Sequence, residues 1–483
     1  MELLLTGNQY SEFWDKNDYE IERDMIISYL SGFKKFGFIN EEHVLDDTKS
    51  VYTVIVGKNG TGKSRLLKNI ISELLREVNK VNDKDLFLRD VTTRIDSDSR
   101  GYIDMKFVPH KIIAISTSPF DKFPLPRGNI TVDGYSYLGL RGLPSSNLGL
   151  SYMSKIINSL MESILIDPKK CHCITIVLDY LGYSDSIVSR FHMYPSVRKM
   201  EEILYSDEPE KELYNFIVNS PMSSVNVSFF LEGQNRFSSE KINEALRCFE
   251  RVIHSTRKPR FDVEISRNGI RVIDSTYYID SDFLFLIQSG FARLRDVTLE
   301  KREHSRRLRI SDASSGEQSV VMSFLGIASQ IEDGSLVCID EPEVCLHPEW
   351  QEKYIELLMY VFEQYKDCQF LIATHSPQVI SNLRAKNCYI MSMDDGEAKS
   401  ADSFVNRSAD YQLAKVFKTP GFKNEYLNRI ALNIFSKVSR RKTFDDVDLE
   451  NFSFLVDCHD HIDREDPLYD LIIALKEMHN RYG

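Results

Sequence analysis

Residues 53–64 read Thr53-Val54-Ile55-Val56-Gly57-Lys58-Asn59-Gly60-Thr61-Gly62-Lys63-Ser64, a β-branched run that breaks into glycines and ends on a lysine and a hydroxyl. The pattern fits a nucleotide phosphate loop. Its glycines let backbone N–H groups converge on an anion, Lys63 can reach the terminal phosphates, and the Ser64 hydroxyl can ligate Mg²⁺. Gly57, Lys58, Asn59, Gly60, Thr61, Gly62, Lys63, Ser64 and the adjoining Arg65 are therefore the candidate cradle. Leu66, Leu67, Ile70, Ile71, Leu74 and Leu75 follow at helical spacing. Strand, loop and helix is the context that such a loop needs, and it predicts an α/β fold of the P-loop NTPase type.

Composition narrows the rest. At 483 residues, 42% of them hydrophobic, the chain can bury a large core and has room for two or three domains or one with large insertions. A formal charge of −12 argues against a surface devoted to wrapping nucleic acid, because neutralising phosphates takes a net excess of Lys and Arg. A local basic patch is still open. The eight cysteines are scattered, and Cys338 lies inside an apolar strand, a usage that suits a reducing cytosol. The start, Met1-Glu2-Leu3-Leu4-Leu5-Thr6, has no basic region, and no run of about 18 apolar residues occurs. A cytoplasmic protein with no membrane partner is expected.

Along the chain, residues 1–50 read as an accessory segment. It holds an aromatic and acidic stretch around Tyr10 to Tyr19, and a helix carrying Ile26, Ile27, Tyr29 and Leu30. Residues 51–144 form a lobe with the phosphate loop, and include a second strand, Lys111 to Ser116, closed by Pro119. Residues 145–260 are mostly helical in pattern and read as an insertion. Residues 261–400 return to the core through strand-like segments at Phe261 to Ile265, Gly269 to Ile273 and Ala292 to Leu299. Leu336-Val337-Cys338-Ile339 and Phe370-Leu371-Ile372-Ala373 then have the apolar character of buried central strands. Residues 401–483 are a separate, more polar C-terminal region.

Three further segments carry chemistry. Asp340 and Glu341 end an apolar strand, where Asp340 would hold Mg²⁺ with Ser64 and Glu341 would polarise the attacking water as general base. Ser314-Ser315-Gly316-Glu317-Gln318 opens a helical run. Ser314 with Glu317 reads as a capping box, and a Ser-Gly helix start also offers free N–H groups and a positive dipole end to an anion. Thr374-His375-Ser376-Pro377 ends the next apolar strand, with Ser376 as expected N-cap and Pro377 as first helical residue. There His375 would sense the terminal phosphate.

This order of motifs resembles the ABC-type ATPases, in the RecF, SMC and OLD-like branch rather than the transporters. Asp340-Glu341-Pro342-Glu343-Val344-Cys345-Leu346-His347-Pro348-Glu349-Trp350-Gln351 is similar to the Walker B and D-loop region of stand-alone defence ATPases. Ile115-Ser116-Thr117-Ser118-Pro119-Phe120-Asp121-Lys122-Phe123 is similar to the segment they carry where the Q-loop lies. Within that branch the chain resembles the PtuA ATPases of Septu anti-phage systems and their retron-associated relatives, over roughly residues 50–400. It implies an ABC-ATPase head with an inserted helical lobe and a C-terminal helical appendage, using ATP and Mg²⁺. It also implies a homo-oligomer in which ATP held by Lys63 of one protomer is closed by Ser315 and Gly316 of another, so that isolated monomers hydrolyse poorly. The partners it implies are an HNH-type nuclease or a retron reverse transcriptase with its RNA and DNA. A RecF-like DNA-binding repair ATPase is the alternative.

Two positions depart from that pattern. No glutamine follows Ser116, which leaves Ser118 or Asp121 for the Q-loop contact, and His347 replaces the D-loop acid. Asp446-Val447-Asp448 has the Asp-x-Asp spacing of a nuclease metal site but lacks a preceding apolar strand, so no nuclease activity of the chain's own is expected. The acidic tail, with Asp445, Asp446, Asp448, Glu450, Asp457 and Asp460, leads to a helix opened by Asp466-Pro467 and suits docking of a basic partner. Lys301, Arg302, Arg306, Arg307 and Arg309 form an opposite patch that could meet nucleic acid.

Overall fold

The computed structural model describes residues 26–31, 34–39, 50–79, 86–87, 101–105, 108–126, 132–143, 148–220, 225–232, 236–255, 259–303, 306–381, 383, 387–404 and 407–483. The stretch from Tyr10 to Tyr19 lies outside them. A seven-stranded sheet forms the centre, in the order Ala398–Ser400, Cys388–Ser392, Val51–Val56, Gln369–Thr374, Ser335–Asp340, Lys111–Ser116, Tyr135–Gly139. All its neighbours are parallel except the first pair. Apolar residues fill both faces of the four inner strands, as a sheet covered on two sides requires.

Side-chain alternation sorts those strands between two cores. Val51, Ile55, Ile112, Ala114, Leu336, Cys338, Leu371 and Ala373 pack with Leu67, Ile70, Ile71 and Leu74 of the helix Lys63–Asn79. Val54, Val56, Ile113, Ile115, Val337, Ile339, Phe370 and Ile372 point the other way, toward the helices Leu148–Ile166, Lys170–Tyr180, Ser315–Gln330 and Pro348–Val361.

Register then decides where the chemistry sits. Asp340 lies opposite Ala373 on one side and Ser116 on the other, while Thr374 lies opposite Val56. The four inner strands therefore end level with one another. Gly57, Glu341 and His375 all leave from the carboxyl edge, the place where open α/β sheets bind ligands.

The remainder differs from the sequence expectation in several places. The segment holding Ile26, Ile27, Tyr29 and Leu30 is not a helix but the strand Ile26–Ser31, paired on one side with Lys34–Gly37 and on the other with Gly101–Met105. Tyr29 is buried and Leu30 exposed, an alternation of period two that six residues are too few to distinguish from a helical face. Among the described residues between 145 and 260 lie five α-helices, yet the strand Ser186–Met193 is the middle of a five-stranded antiparallel sheet. Its neighbours, Arg260–Ser266 and Ala292–Lys301, come from beyond 259, so a division at 260/261 falls inside one sheet. Ser376-Pro377 does not open a helix. The Ser376 hydroxyl donates to Gln351 instead of capping, and residues 377–381 form a turn. At the C-terminus, Glu425–Arg441, Asp446–His459 and Pro467–Tyr482 pack around a core of their own that includes Leu427, Ile434, Leu455, Ile472 and Leu475.

Candidate active site

The phosphate loop is a turn that only glycine can make at two of its positions. Gly60 and Gly62 have φ of 82° and 98°, in the left-handed region. A side chain at Gly57 would also strike the Thr61 hydroxyl, with its Cβ 2.8 Å away. Thr61 closes the turn by donating from Oγ1 to the Lys58 carbonyl at 2.8 Å. Lys63 is buried and donates from Nζ to the Gly57 carbonyl at 2.9 Å and the Lys58 carbonyl at 3.3 Å. Burial lowers its pKa, opposed by the charges of Glu341, Glu343 and Asp340. Asn59, Gly60 and Arg65 are exposed at the rim.

One hydrogen bond joins the two ends of this chemistry across 276 residues. Ser64 Oγ donates to Asp340 Oδ1 at 2.9 Å. Burial pushes the Asp340 carboxyl up to about 7, and the charges of Glu341, Asp121 and Glu343 act in the same direction, against the Ser64 hydroxyl. A buried carboxylate with a hydroxyl beside it, at the mouth of a glycine cradle, is a donor set that suits a hard divalent cation. Ser64 and Asp340 are the residues that would hold it.

Glu341 follows with φ of 49° and donates from its backbone N–H to the Ala373 carbonyl at 2.9 Å, which turns it out of the strand. Its carboxylate lies 3.5 Å from His375 Nδ1. That hydrogen bond and the charges of His375 and Lys63 hold Glu341 below the usual carboxylate range. In return, the bond to Glu341 and the charges of Glu343 and Glu341 raise His375, against burial and Lys63.

Sequence reasoning missed Glu343. Its side chain is 4% exposed and its Oε1 sits 3.0 Å from His375 Nδ1. Nothing local announces this, since Pro342 and Val344 on either side read as an ordinary turn. The expected Q-loop candidates also fall out differently. Asp121 is fully engaged below the surface, accepting from Tyr137 Oη at 2.7 Å and pairing with Arg141 at 2.8 Å. Ser118 accepts from the Phe120 N–H at 3.2 Å. Within that segment, the Ser116 hydroxyl donates to the Asp340 carbonyl at 3.4 Å.

The segment Ser314–Gln318, the signature segment of the ABC-type resemblance, stands apart from this cluster. Ser314 caps the helix Ser315–Gln330 by accepting from the Glu317 N–H at 3.2 Å, while Glu317 Oε2 accepts from the Ser314 N–H at 3.0 Å, so the capping box is real. Glu317 is held further by Lys301 at 3.0 Å, from the end of the strand Ala292–Lys301, and by Tyr183 of the inserted lobe at 3.1 Å. Gln318 donates to the Ala313 carbonyl. Ser314 and Ser315 are exposed. Among the described residues, no hydrogen bond or ion pair links Ser314–Gln318 to Gly57–Ser64.

Charges elsewhere are mostly matched within the chain. Lys301, Arg302, Arg307 and Arg309 pair with Glu317, Asp179, Glu300 and Asp312. In the tail, Asp448 is buried, completes a capping box with Asp445 and pairs with Lys437 at 2.9 Å.

Comparison with known proteins finds partial matches. A family described as "AAA domain, putative AbiEii toxin, Type IV TA system" matches residues 179–381. The chain is 28% identical to a Retron Ec83 probable ATPase from Escherichia coli over 27% of this chain and 28% of that protein. It is 24% identical to a Retron Vc95 probable ATPase from Vibrio cholerae serotype O1 biovar El Tor over 43% of this chain and 36% of that protein. The chain thus spans about a third of the length of these relatives. Among solved structures, the SmcHead bound to the C-winged helix domain of ScpA is similar at 12% identity, with a TM-score of 0.27, over 78% of this chain and 98% of that one. The motifs lie in order along the carboxyl edge of a central parallel sheet, the arrangement of a P-loop nucleotide-binding fold, and parts of the chain are similar to the retron ATPases.

Proposed function

We propose that this chain binds and hydrolyses Mg²⁺-ATP between two facing heads, and that its nucleotide state controls a partner nuclease in anti-phage defence, as in Septu PtuA-like or retron-associated systems. The observation that carries the catalytic half is the Ser64 to Asp340 contact at 2.9 Å, which joins the phosphate loop to the Walker B strand end. Bound Mg²⁺ would supply the charge that draws electron density from the terminal phosphate. The chain's own residues do the rest. Lys63 is released from the Gly57 and Lys58 carbonyls to meet phosphate oxygens, and Glu341 takes a proton from water. His375 meets the terminal phosphate from the neighbouring strand end.

The facing-head arrangement is supported by the exposed Ser314 and Ser315, whose helix start has no partner in its own phosphate loop. Turnover per chain should then rise with protein concentration. The defence assignment is supported by the retron relatives, and the nuclease partner by the Septu resemblance alone. Glu341→Gln tests the chemistry. Turnover should fall by about 10²- to 10⁴-fold while ATP-bound assemblies persist on a sizing column. Unchanged turnover would remove Glu341 from the role of base.

One observation favours a second reading, a RecF-like DNA-binding repair ATPase. On the outer face of the antiparallel sheet, Arg260, His192 and Arg293 stand in one register row, with Arg295 close by. Arg260 and Arg295 are exposed and make no ion pair among the described residues. DNA-stimulated turnover by the purified chain alone would favour this reading, and a co-purifying nuclease the first.

A further inference from the structure

The loop that carries His375 is held at several polar atoms by residues that follow the Walker B strand. Glu343 Oε1 accepts from Thr374 Oγ1 at 2.7 Å and from the His375 backbone N–H at 2.7 Å, and it lies 3.0 Å from His375 Nδ1. The Ser376 hydroxyl donates to Gln351 at 2.6 Å, and the Ser376 N–H to Thr374 Oγ1 at 3.0 Å. Glu343 is itself fixed from behind. The Val344 N–H donates to the Glu341 carbonyl, the Leu346 N–H donates to the Glu343 carbonyl at 2.9 Å, and left-handed residues bracket the turn at Glu341 and Cys345.

The other carboxylate oxygen is the unexpected part. Glu343 Oε2 is buried and has no hydrogen-bond partner among the described residues. Burying a carboxylate with half of it unsatisfied is costly. A strand-end cap alone would not need it, since a hydroxyl could receive the same backbone N–H. What a carboxylate adds is an oxygen strong and rigid enough to hold the one part of the loop still free, the imidazole, whose side chain is 41% exposed.

We propose that Glu343 is a positioning residue, whose Oε1 fixes the ring of His375 beside Glu341 and so sets turnover while leaving nucleotide affinity nearly unchanged. The effect on turnover rests on the ATPase reading above; the effect on the ring does not.

The test uses the full chain, labelled with ¹⁵N-histidine and compared with Glu343→Gln, Glu343→Ala and Glu343→Asp. Without nucleotide, the His375 Nδ1 resonance, assigned through His375→Ala, should move or vanish in Glu343→Ala and return in Glu343→Gln, which keeps the accepting oxygen in place. With ATP, Glu343→Ala should lose about 30-fold in kcat with KM changed less than about 3-fold, and Glu343→Gln should recover to within about 5-fold of the parent. If Glu343→Ala does not fold, Glu343→Asp, which keeps the charge and withdraws the oxygen, should show the same losses. A His375 resonance that stays put in the alanine and aspartate variants overturns the inference. So does a glutamine variant as damaged as the alanine one, or a KM that rises in step with any loss of kcat. A parent chain that hydrolyses no ATP would instead sink the ATPase reading, and the imidazole resonance would still decide whether Glu343 sets the ring.

Discussion

The two polar helix starts of this molecule, at Lys63 and at Ser315, are built on opposite plans. The first is folded inward. Lys63 is buried, Ser64 reaches Asp340, and the loop before it closes on its own carbonyls. The second is folded outward. Its capping box, Lys301 and Tyr183 satisfy Glu317, yet Ser314 and Ser315 face solvent. A site that one chain completes has its charges collected at one sheet edge, as here at Gly57, Glu341 and His375. A site needing a second copy leaves one part of its anion-binding surface satisfied but uncovered. On the proposed reading, the contrast would place the two halves of a composite site on different parts of one chain.

The strongest way to break that contrast is to damage the inward half. Lys63→Ala removes the cation that would meet the phosphates, a charge-assisted contact typically worth about 1.5–3 kcal/mol. ATP affinity, measured by equilibrium binding to the full chain, should fall by about 10- to 150-fold. The fold should survive, because among the described residues Lys63 is bonded only to the loop carbonyls of Gly57 and Lys58. An affinity within about twofold of the parent would show that the loop is not the cradle.

Gly316→Ala probes the outward half. A Cβ at Gly316 would lie 3.0 Å from the Cys345 carbonyl oxygen, backbone that must shift by a few tenths of an ångström. Overpacking of this kind costs about 1–3 kcal/mol, here spent on moving the helix start against the turn that also carries Glu343. Turnover should drop about tenfold at a protein concentration where the parent is assembled, with ATP affinity unchanged. Equal losses in affinity and turnover would mean that the two helix starts are not separable parts.

How much of this was legible follows the range of the interactions. The phosphate loop, the capping box of Ser314 and Glu317 and the apolar strands around Val54 and Cys338 are local patterns, written within a dozen residues. The strand at Ile26–Ser31 was not legible, because it lies between a short local partner, Lys34–Gly37, and a distant one, Gly101–Met105, some seventy residues on. Ser186–Met193 was hidden among helices for the same reason, since both of its neighbours lie beyond residue 259. Asp121 looked available as a Q-loop side chain until Tyr137 and Arg141 were seen to claim it. Glu343 had no sequence signal, since its importance comes from the register that sets Thr374 and His375 against it.

The finest test concerns how the outward helix start is held. Glu317 accepts from Lys301, and although burial works against the charge, Lys301 and the Ser314 N–H and hydroxyl keep its carboxyl below the ordinary value of 4.5. A depressed carboxyl pKa stabilises the fold fully above 4.5, and that contribution fades as pH falls through the lower folded-state value. Glu317→Gln keeps the reach of a capping box and removes only the charge. Because Lys301 is 44% exposed, the loss should be small, about 0.5 kcal/mol at pH 7 by urea unfolding. Parent and variant should converge once the pH is low enough to protonate Glu317 in the folded state. A gap that persists there would assign the effect to packing against Tyr183, and the inserted lobe would then hold the signature helix by shape rather than by charge.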